Sequence, residues 1–261
     1  MAEEFEVTLR ICSEEPEGVF RSILMTRSIG SYELVYRERF SIHDQYFDTP
    51  EGTLAATGYA LRIRTEGKRR TLGLKGNERV NEWGGIERTE IEGPWSRESA
   101  ARIFEIIKAI PFVEEDFDQA DPVKTLTGLG LEVIQSRETE RTLLDVVSAD
   151  AKGRPLIGVM SLDRVCYEAC KKSFFHYEIE VEAEEGTDHV YLGGFVESLK
   201  DAFPGDLCRW DHNKLITGRA LEVLIEQGAL SPASQTRGHI PEAWYDAIES
   251  WIRQNRCCPE K

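Results

Sequence analysis

The sequence has no excess of basic residues. Its 261 residues include 32 Lys and Arg against 47 Asp and Glu, giving a formal charge of −15 and a pI near 4.9. Nonspecific grip on duplex nucleic acid requires a basic protein surface, so that class of function is excluded, although a local cationic pocket is not. Long apolar runs are also absent. With 30% charged residues and no uninterrupted hydrophobic stretch long enough to cross a bilayer, a membrane-spanning protein is excluded. The opening MAEEFEVTLR is acidic and alternates in polarity, unlike a secretory or transit leader, so a cytoplasmic protein is expected. No C-x-x-C occurs among the six cysteines. Cys166 and Cys170 lie four apart without a paired histidine set, so a zinc site is not expected and all thiols are expected to be reduced. The five histidines are isolated in sequence, and no solenoid-length repeat is present.

What is present is alternation. From Glu4 to Ile11, Phe5, Val7, Leu9 and Ile11 face one way and Glu4, Glu6, Thr8 and Arg10 the other, which predicts a strand. Ser13 then caps a helix carrying Val19, Phe20, Ile23 and Leu24 at helical spacing. YELVYRERF and HDQYFDTPEG predict a short strand pair ending in a turn at Thr49–Gly52. GYALRIRTEG, RRTLGLKGN and GGIERTEIEG predict an antiparallel meander, and SRESAARIFEIIKAI a capped amphipathic helix. After an acidic loop and a short helix around Val123–Gly128 come three longer strands within LEVIQSRETERTLLDVV, RPLIGVMSLDRVCYEAC and KKSFFHYEIEVEAEEG. The remainder is expected to be helical, with a polar linker SPASQTRG before the last helix.

Charge is gathered on particular strand faces. Arg62 and Arg64 alternate with Leu61 and Ile63, Lys75 follows Leu72 and Leu74, and Arg137 shares a face with Arg141. Arg88, Glu90 and Glu92 share another face, as do Glu178, Glu180 and Glu182. Any half-exposed antiparallel sheet has a polar face, so one such strand signifies little. Six or more sharing the trait favour a barrel with a wide, wet, charged interior and its apolar outer face covered by helices. Guanidinium groups grip phosphate oxygens bidentately, while carboxylates at i and i+2 can hold a hard divalent cation that bridges the same phosphates. The expected ligand is therefore a metal-bound polyphosphate or nucleoside triphosphate.

Taken in order, Glu4-Phe5-Glu6, QYFDTPEGTLAATGYALRIR, the Lys75 strand, RTEIEG, the Asp163 strand, YEIEVE and DHNKLITGRAL resemble the CYTH superfamily of triphosphate tunnel metalloenzymes, over about residues 4 to 225. This group includes thiamine triphosphatases, inorganic triphosphatases and class IV adenylate cyclases. The resemblance implies an α+β fold: an eight-stranded antiparallel tunnel barrel over residues 1–228 with helices outside it, acting on triphosphates with Mg²⁺ or Mn²⁺. Residues 229–261 form the linker and a C-terminal helix that packs on the barrel or on a second subunit, leaving a homodimer open. By position, Arg62, Arg64, Lys75, Arg141 and Lys214 match the phosphate-binding bases, with Arg137 competing for the Arg141 role. Glu4, Glu6, Glu90, Glu92, Asp163, Glu178 and Glu180 are the implied metal-side carboxylates.

Thr8 occupies the position where the N-terminal signature has a lysine. Threonine has no titratable amine, and the nearby Arg10 can replace the charge but is a poor proton acceptor. The resemblance therefore names Arg10, Lys75 and Lys214 as catalytic candidates, while the residues support phosphate binding better than fast hydrolysis. Three readings stay open: a triphosphatase with inorganic triphosphate as first substrate and thiamine triphosphate or a nucleotide second, a class IV adenylate cyclase, and a triphosphate binder with little turnover. Trp83 and Trp95 are expected to pack, and the Cys257–Cys258 pair to form a free tail.

Overall fold

Alternating strands with one apolar and one charged face are stable only if the apolar face is covered and the charged face meets water or its own counter-charges. The computed structural model, which describes residues 3–80, 86–149, 153–184, 187, 189–232 and 238–255, with backbone only at 3–5, 77–80, 86–89 and 189, satisfies both conditions. Strand β1 (Glu3–Ile11) and helix α1 (Pro16–Met25) are followed by the two-residue β2 (Ser28–Ile29) and the long β3 (Tyr32–Asp48). Helix α2 (Thr53–Ala56) leads to the meander β4 (Tyr59–Glu66), β5 (Arg69–Val80) and β6 (Ile86–Pro94). Helices α3 (Arg97–Ile107) and α4 (Pro122–Gly128) precede β7 (Glu132–Ser148), β8 (Leu156–Ala169) and β9 (Lys172–Ala183). Then come α5 (His189–Ala202), β10 (Leu207–Arg209), α6 (Lys214–Glu226) and α7 (Glu242–Asn255).

The antiparallel order is β6-β5-β4-β3-β7-β8-β9, and β1 bridges its two ends, pairing with β6 through Glu3–Glu6 and with β9 through Glu6–Arg10. Eight strands therefore surround one interior. Their outer face carries two apolar layers. One packs Leu9, Leu162, Ile179 and Val181 against Phe20 and Ile23 of α1 and Leu192 and Phe195 of α5. The other packs Leu61, Ile63, Leu72 and Leu74 against Ile103, Phe104 and Leu126 of α3 and α4. A third layer lies differently. Val165 and Tyr167 have the strand parity of Asp163, and Phe174 has that of Glu178, yet they pack with Leu221 of α6 and with Trp244, Tyr245 and Ile248 of α7. Beyond the charged stretch, the inward face turns apolar and these two helices cover it.

Several expectations are corrected. Tyr32–Asp48 is one continuous strand rather than a pair, because it runs the full length of β7, with register shifts at Tyr36/Glu38 and Tyr46/Phe47 absorbing the irregularity. Glu15, not Ser13, is the N-cap of α1, whose first helical residue is Pro16; Ser13 Oγ instead accepts from the Glu15 amide. The C-terminal region is not all helical, since β10 pairs with the end of β1. That pairing also corrects the expectation of reduced thiols throughout. It carries Cys208 beside Arg10 and brings Cys12 to within 5.8 Å between Cα atoms, where the two form a disulfide; Cys166 and Cys170 are free. Trp95 does pack, stacked 4.7 Å from Phe117. Trp83 and the Cys257–Cys258 pair lie outside the described residues. Among the described residues, no helix is long and apolar enough to cross a membrane.

Candidate active site

Strand parity places the charged side chains inside the ring, and strand order sorts them by sign. The neighbouring strands β8, β9, β1 and β6 supply Asp163, Glu178, Glu180, Glu182, Glu6, Glu90 and Glu92. The neighbouring strands β5, β4, β3 and β7 supply Lys75, Arg62, Arg64, Arg137 and Arg141. An acidic wall thus faces a basic wall across a cavity of about 210 Å³, with Lys214 entering from the start of α6. Asn213 caps α6 by accepting from the Ile216 amide, and the Lys214 carbonyl accepts from Tyr167 Oη at 2.9 Å, so the lysine backbone is fixed at both sides.

Asp44 organises the basic wall. It takes both Nε (2.8 Å) and Nη2 (2.9 Å) of Arg64 and Nη2 of Arg137 (3.2 Å), with Arg62 Nε at 3.8 Å. Tyr46 Oη accepts from Arg137 at 2.9 Å, and its ring lies 4.9 Å below that guanidinium. Burial alone would favour the neutral acid, but the guanidinium groups of Arg62, Arg64 and Arg137 outweigh it and hold Asp44 well below the usual carboxylate range. At the seam between the walls, Lys75 reaches Glu90 at 2.7 Å, and Arg62 bridges Glu90 (3.2 Å) and Glu92. Burial opposes ionisation of Glu90, yet Lys75 and Arg62 bring it down to about 2.

At the opposite seam, Arg141 Nε donates to Asp163 at 2.8 Å and its Nη2 reaches Glu180. Lys214 Nζ sits among Glu178, Glu180 (2.6 Å) and Asp163 (3.1 Å). Burial would lower the lysine, but these three carboxylates prevail and raise it above its ordinary value. Ligand oxygens of Asp163, Glu178 and Glu180 lie within 4.8 Å of one another. Three converging, largely buried carboxylates form a hard all-oxygen donor set, which suits Mg²⁺ or Mn²⁺ and not a thiol-seeking metal.

The cavity thus gathers Glu6, Glu90, Glu92, Glu178 and Glu180 with Arg62, Arg64, Lys75, Arg137, Arg141 and Lys214, and Asp163 lies behind Arg141 and Lys214. Arg137 and Arg141 both line the cavity. Thr8 also lines the cavity. Arg10 does not: its guanidinium forks onto Glu242 of α7 at 2.6 and 2.7 Å and lies 4.1 Å over the Tyr245 ring. The side chain of Glu4 is outside the described set.

Sequence reasoning missed Asp44, Tyr46 and His176. Asp44 and Tyr46 share one face of β3, and His176 shares the face of Glu178, so the rule that found the other charges would have found these had it been extended to them.

The family model described as CYTH domain matches residues 26–202. The search of curated proteins gives no match. Among solved structures, the fold resembles HpAC1 of Hippeastrum, described as a candidate adenylyl cyclase with a dominant triphosphatase activity, at 20% identity and a TM-score of 0.52, covering 89% of this chain and 100% of that one. A candidate adenylate cyclase from Bacillus halodurans aligns at 20% identity and a TM-score of 0.47, covering 82% and 97%. The family model spans well over half of the sequence, and the ring of eight strands is the architecture that the resemblance implied: the chain belongs to the CYTH family.

Proposed function

We propose that this protein hydrolyses a triphosphate with Mg²⁺ or Mn²⁺, with inorganic triphosphate as its first substrate. The observation that carries the reading is the division of the interior into a basic wall and an acidic wall. Arg62, Arg64, Lys75, Arg137 and Arg141 hold the phosphate oxygens, and Asp44 keeps three of those guanidiniums in place. Asp163, Glu178 and Glu180 would hold the divalent cation, which when bound polarises phosphate oxygens and neutralises their charge. Lys214 adds an amine next to those carboxylates.

Phosphoryl transfer depends chiefly on positioning and electrostatic stabilisation, so the walls supply most of what the reaction needs. The cavity of about 210 Å³ is smaller than the roughly 300–1,000 Å³ pockets that enclose drug-sized ligands. It favours the phosphate chain itself, with any organic group left at the mouth. The partner is therefore a small triphosphate.

Phosphate release from inorganic triphosphate, ATP and thiamine triphosphate tests the reading. Lys75→Ala and Arg64→Ala are expected to lower kcat/KM by about 100-fold or more, the usual scale for losing an oxyanion-stabilising group. Wild-type turnover that both variants retain in full would place the chemistry elsewhere. With ATP, cyclic AMP plus pyrophosphate instead of ADP plus phosphate would favour the cyclase.

Thr8 favours a second reading, a triphosphate binder with slow turnover. It lines the cavity where a lysine was expected, and Arg10 is engaged by Glu242 and does not substitute for it. Thr8→Lys restoring fast phosphate release to a slow wild type would support this reading, and rapid wild-type turnover would end it.

A further inference from the structure

The last helix reaches the acidic wall through a chain of hydrogen bonds. Tyr245 of α7 meets His176 Nδ1 at 2.8 Å, and His176 Nε2 meets Glu178 Oε2 at 2.9 Å. The other oxygen of Glu178 faces Lys214. All four residues are buried. A carboxylate oxygen accepts, so His176 donates through Nε2 to Glu178. Nδ1 pairs with the Tyr245 hydroxyl, which burial raises above its ordinary range.

The Arg10–Glu242 fork holds the first turn of α7, and Arg10 packs between the Tyr245 ring at 4.1 Å and the Trp210 ring at 5.6 Å. Arg10 thereby acts on α7 instead of on the cavity.

We propose that Tyr245 and His176 are positioning residues for the cation site, tying one oxygen of Glu178 so that the other is presented, with Glu180 and Asp163, to a divalent cation. The inference rests on the reading of those three carboxylates as the metal set. Outer partners of this kind fix the orientation and basicity of a ligand, and losing them weakens metal affinity by roughly 10–100-fold. The helix carrying Tyr245 is thus part of the site.

The test is Mn²⁺ binding to the full chain, followed by calorimetry or by the loss of the free-ion electron paramagnetic resonance signal, in wild type, Tyr245→Phe, His176→Leu and His176→Gln. Tyr245→Phe removes one hydroxyl and keeps the ring, so it carries the test even where His176→Leu fails to fold. Tyr245→Phe and His176→Leu are expected to weaken Mn²⁺ by roughly 10–100-fold. His176→Gln, whose amide nitrogen can still donate to Glu178, should bind more tightly than His176→Leu. Metal-free triphosphate binding, which depends on the basic wall, should stay at the wild-type level in each. Tyr245→Phe with wild-type Mn²⁺ affinity overturns the inference, as does equal weakening of Mn²⁺ and triphosphate, which would mark a general structural defect. Wild-type protein that binds no Mn²⁺ overturns the metal reading itself, and this inference with it.

Discussion

Three guanidinium groups converge on Asp44, whose side chain is 2% exposed. A buried ion cluster contributes little net stability against an apolar substitute, but removing one sign from it leaves uncompensated buried charge at a cost of about 3–5 kcal/mol. Asp44→Asn keeps the shape and removes the charge. It is expected to destabilise the fold by that order, read as a lower urea midpoint, and to weaken triphosphate binding by loosening Arg64 and Arg137. The same contacts set a pH dependence. The folded-state pKa of Asp44 is depressed, so its contribution is complete above its unfolded value of about 4 and is lost as pH falls below that toward the folded value. Unfolding followed from pH 7 to pH 2 should therefore show a fall in stability below about pH 4 that is shallower in Asp44→Asn. An equally steep fall in the variant would assign the acid sensitivity to other carboxylates.

At the scale of the element, α6 shows how backbone approach fixes a side chain of the cavity. A Cβ on Gly218 would lie 2.4 Å from Gln135 Nε2 and 2.7 Å from the Tyr167 ring, one turn beyond Lys214. Helix propensity alone predicts that Gly218→Ala gains about 1 kcal/mol. Overpacking against two buried side chains costs about 1–3 kcal/mol, and here it outweighs the gain because Tyr167 is 1% exposed and cannot move aside. Gly218→Ala is expected to lower thermal stability and, by pushing α6 off β8, to reduce activity at the Lys214 end. A stabilised, fully active variant would show that the contact relaxes freely. This packing was not legible in the sequence, where Gly218 is simply a helix-weakening residue. The strands were legible because a period of two records both faces of each strand in the local sequence, so the alternation around Arg62, Arg64, Glu178 and Glu180 is enough to assign them a common interior. Arg10 obeyed the same parity and still fell outside the cavity, because parity fixes the face and not the depth along the barrel.

At the scale of the whole molecule, what the sequence concealed is long-range closure. Two cysteines 196 residues apart carry no local sign that they meet, and the sequence alone predicts reduced thiols. Only the pairing of β10 with β1 makes the Cys12–Cys208 bridge visible. Its position has a consequence for the site. Cys208 is followed by Arg209, Trp210 and the turn that delivers Asn213 and Lys214, and the Trp210 amide donates to the Thr8 carbonyl at 3.0 Å. The bridge thus pins to β1 the segment that leads into α6. Closing so long a loop restricts the unfolded chain, and native disulfides of this kind typically contribute about 2–4 kcal/mol. For a chain of this size, that corresponds to a fall in Tm of roughly 5–15 °C on reduction. Thermal unfolding with and without dithiothreitol, alongside Cys12→Ser, should show matching losses in the reduced and mutant proteins. A non-reducing peptide map should contain the Cys12 and Cys208 peptides joined. Lys214 is also held by Tyr167 and the Asn213 cap, so reduction is expected to cost stability well before it costs triphosphate affinity. A reduced protein with unchanged Tm would mean that strand pairing alone closes this end of the barrel.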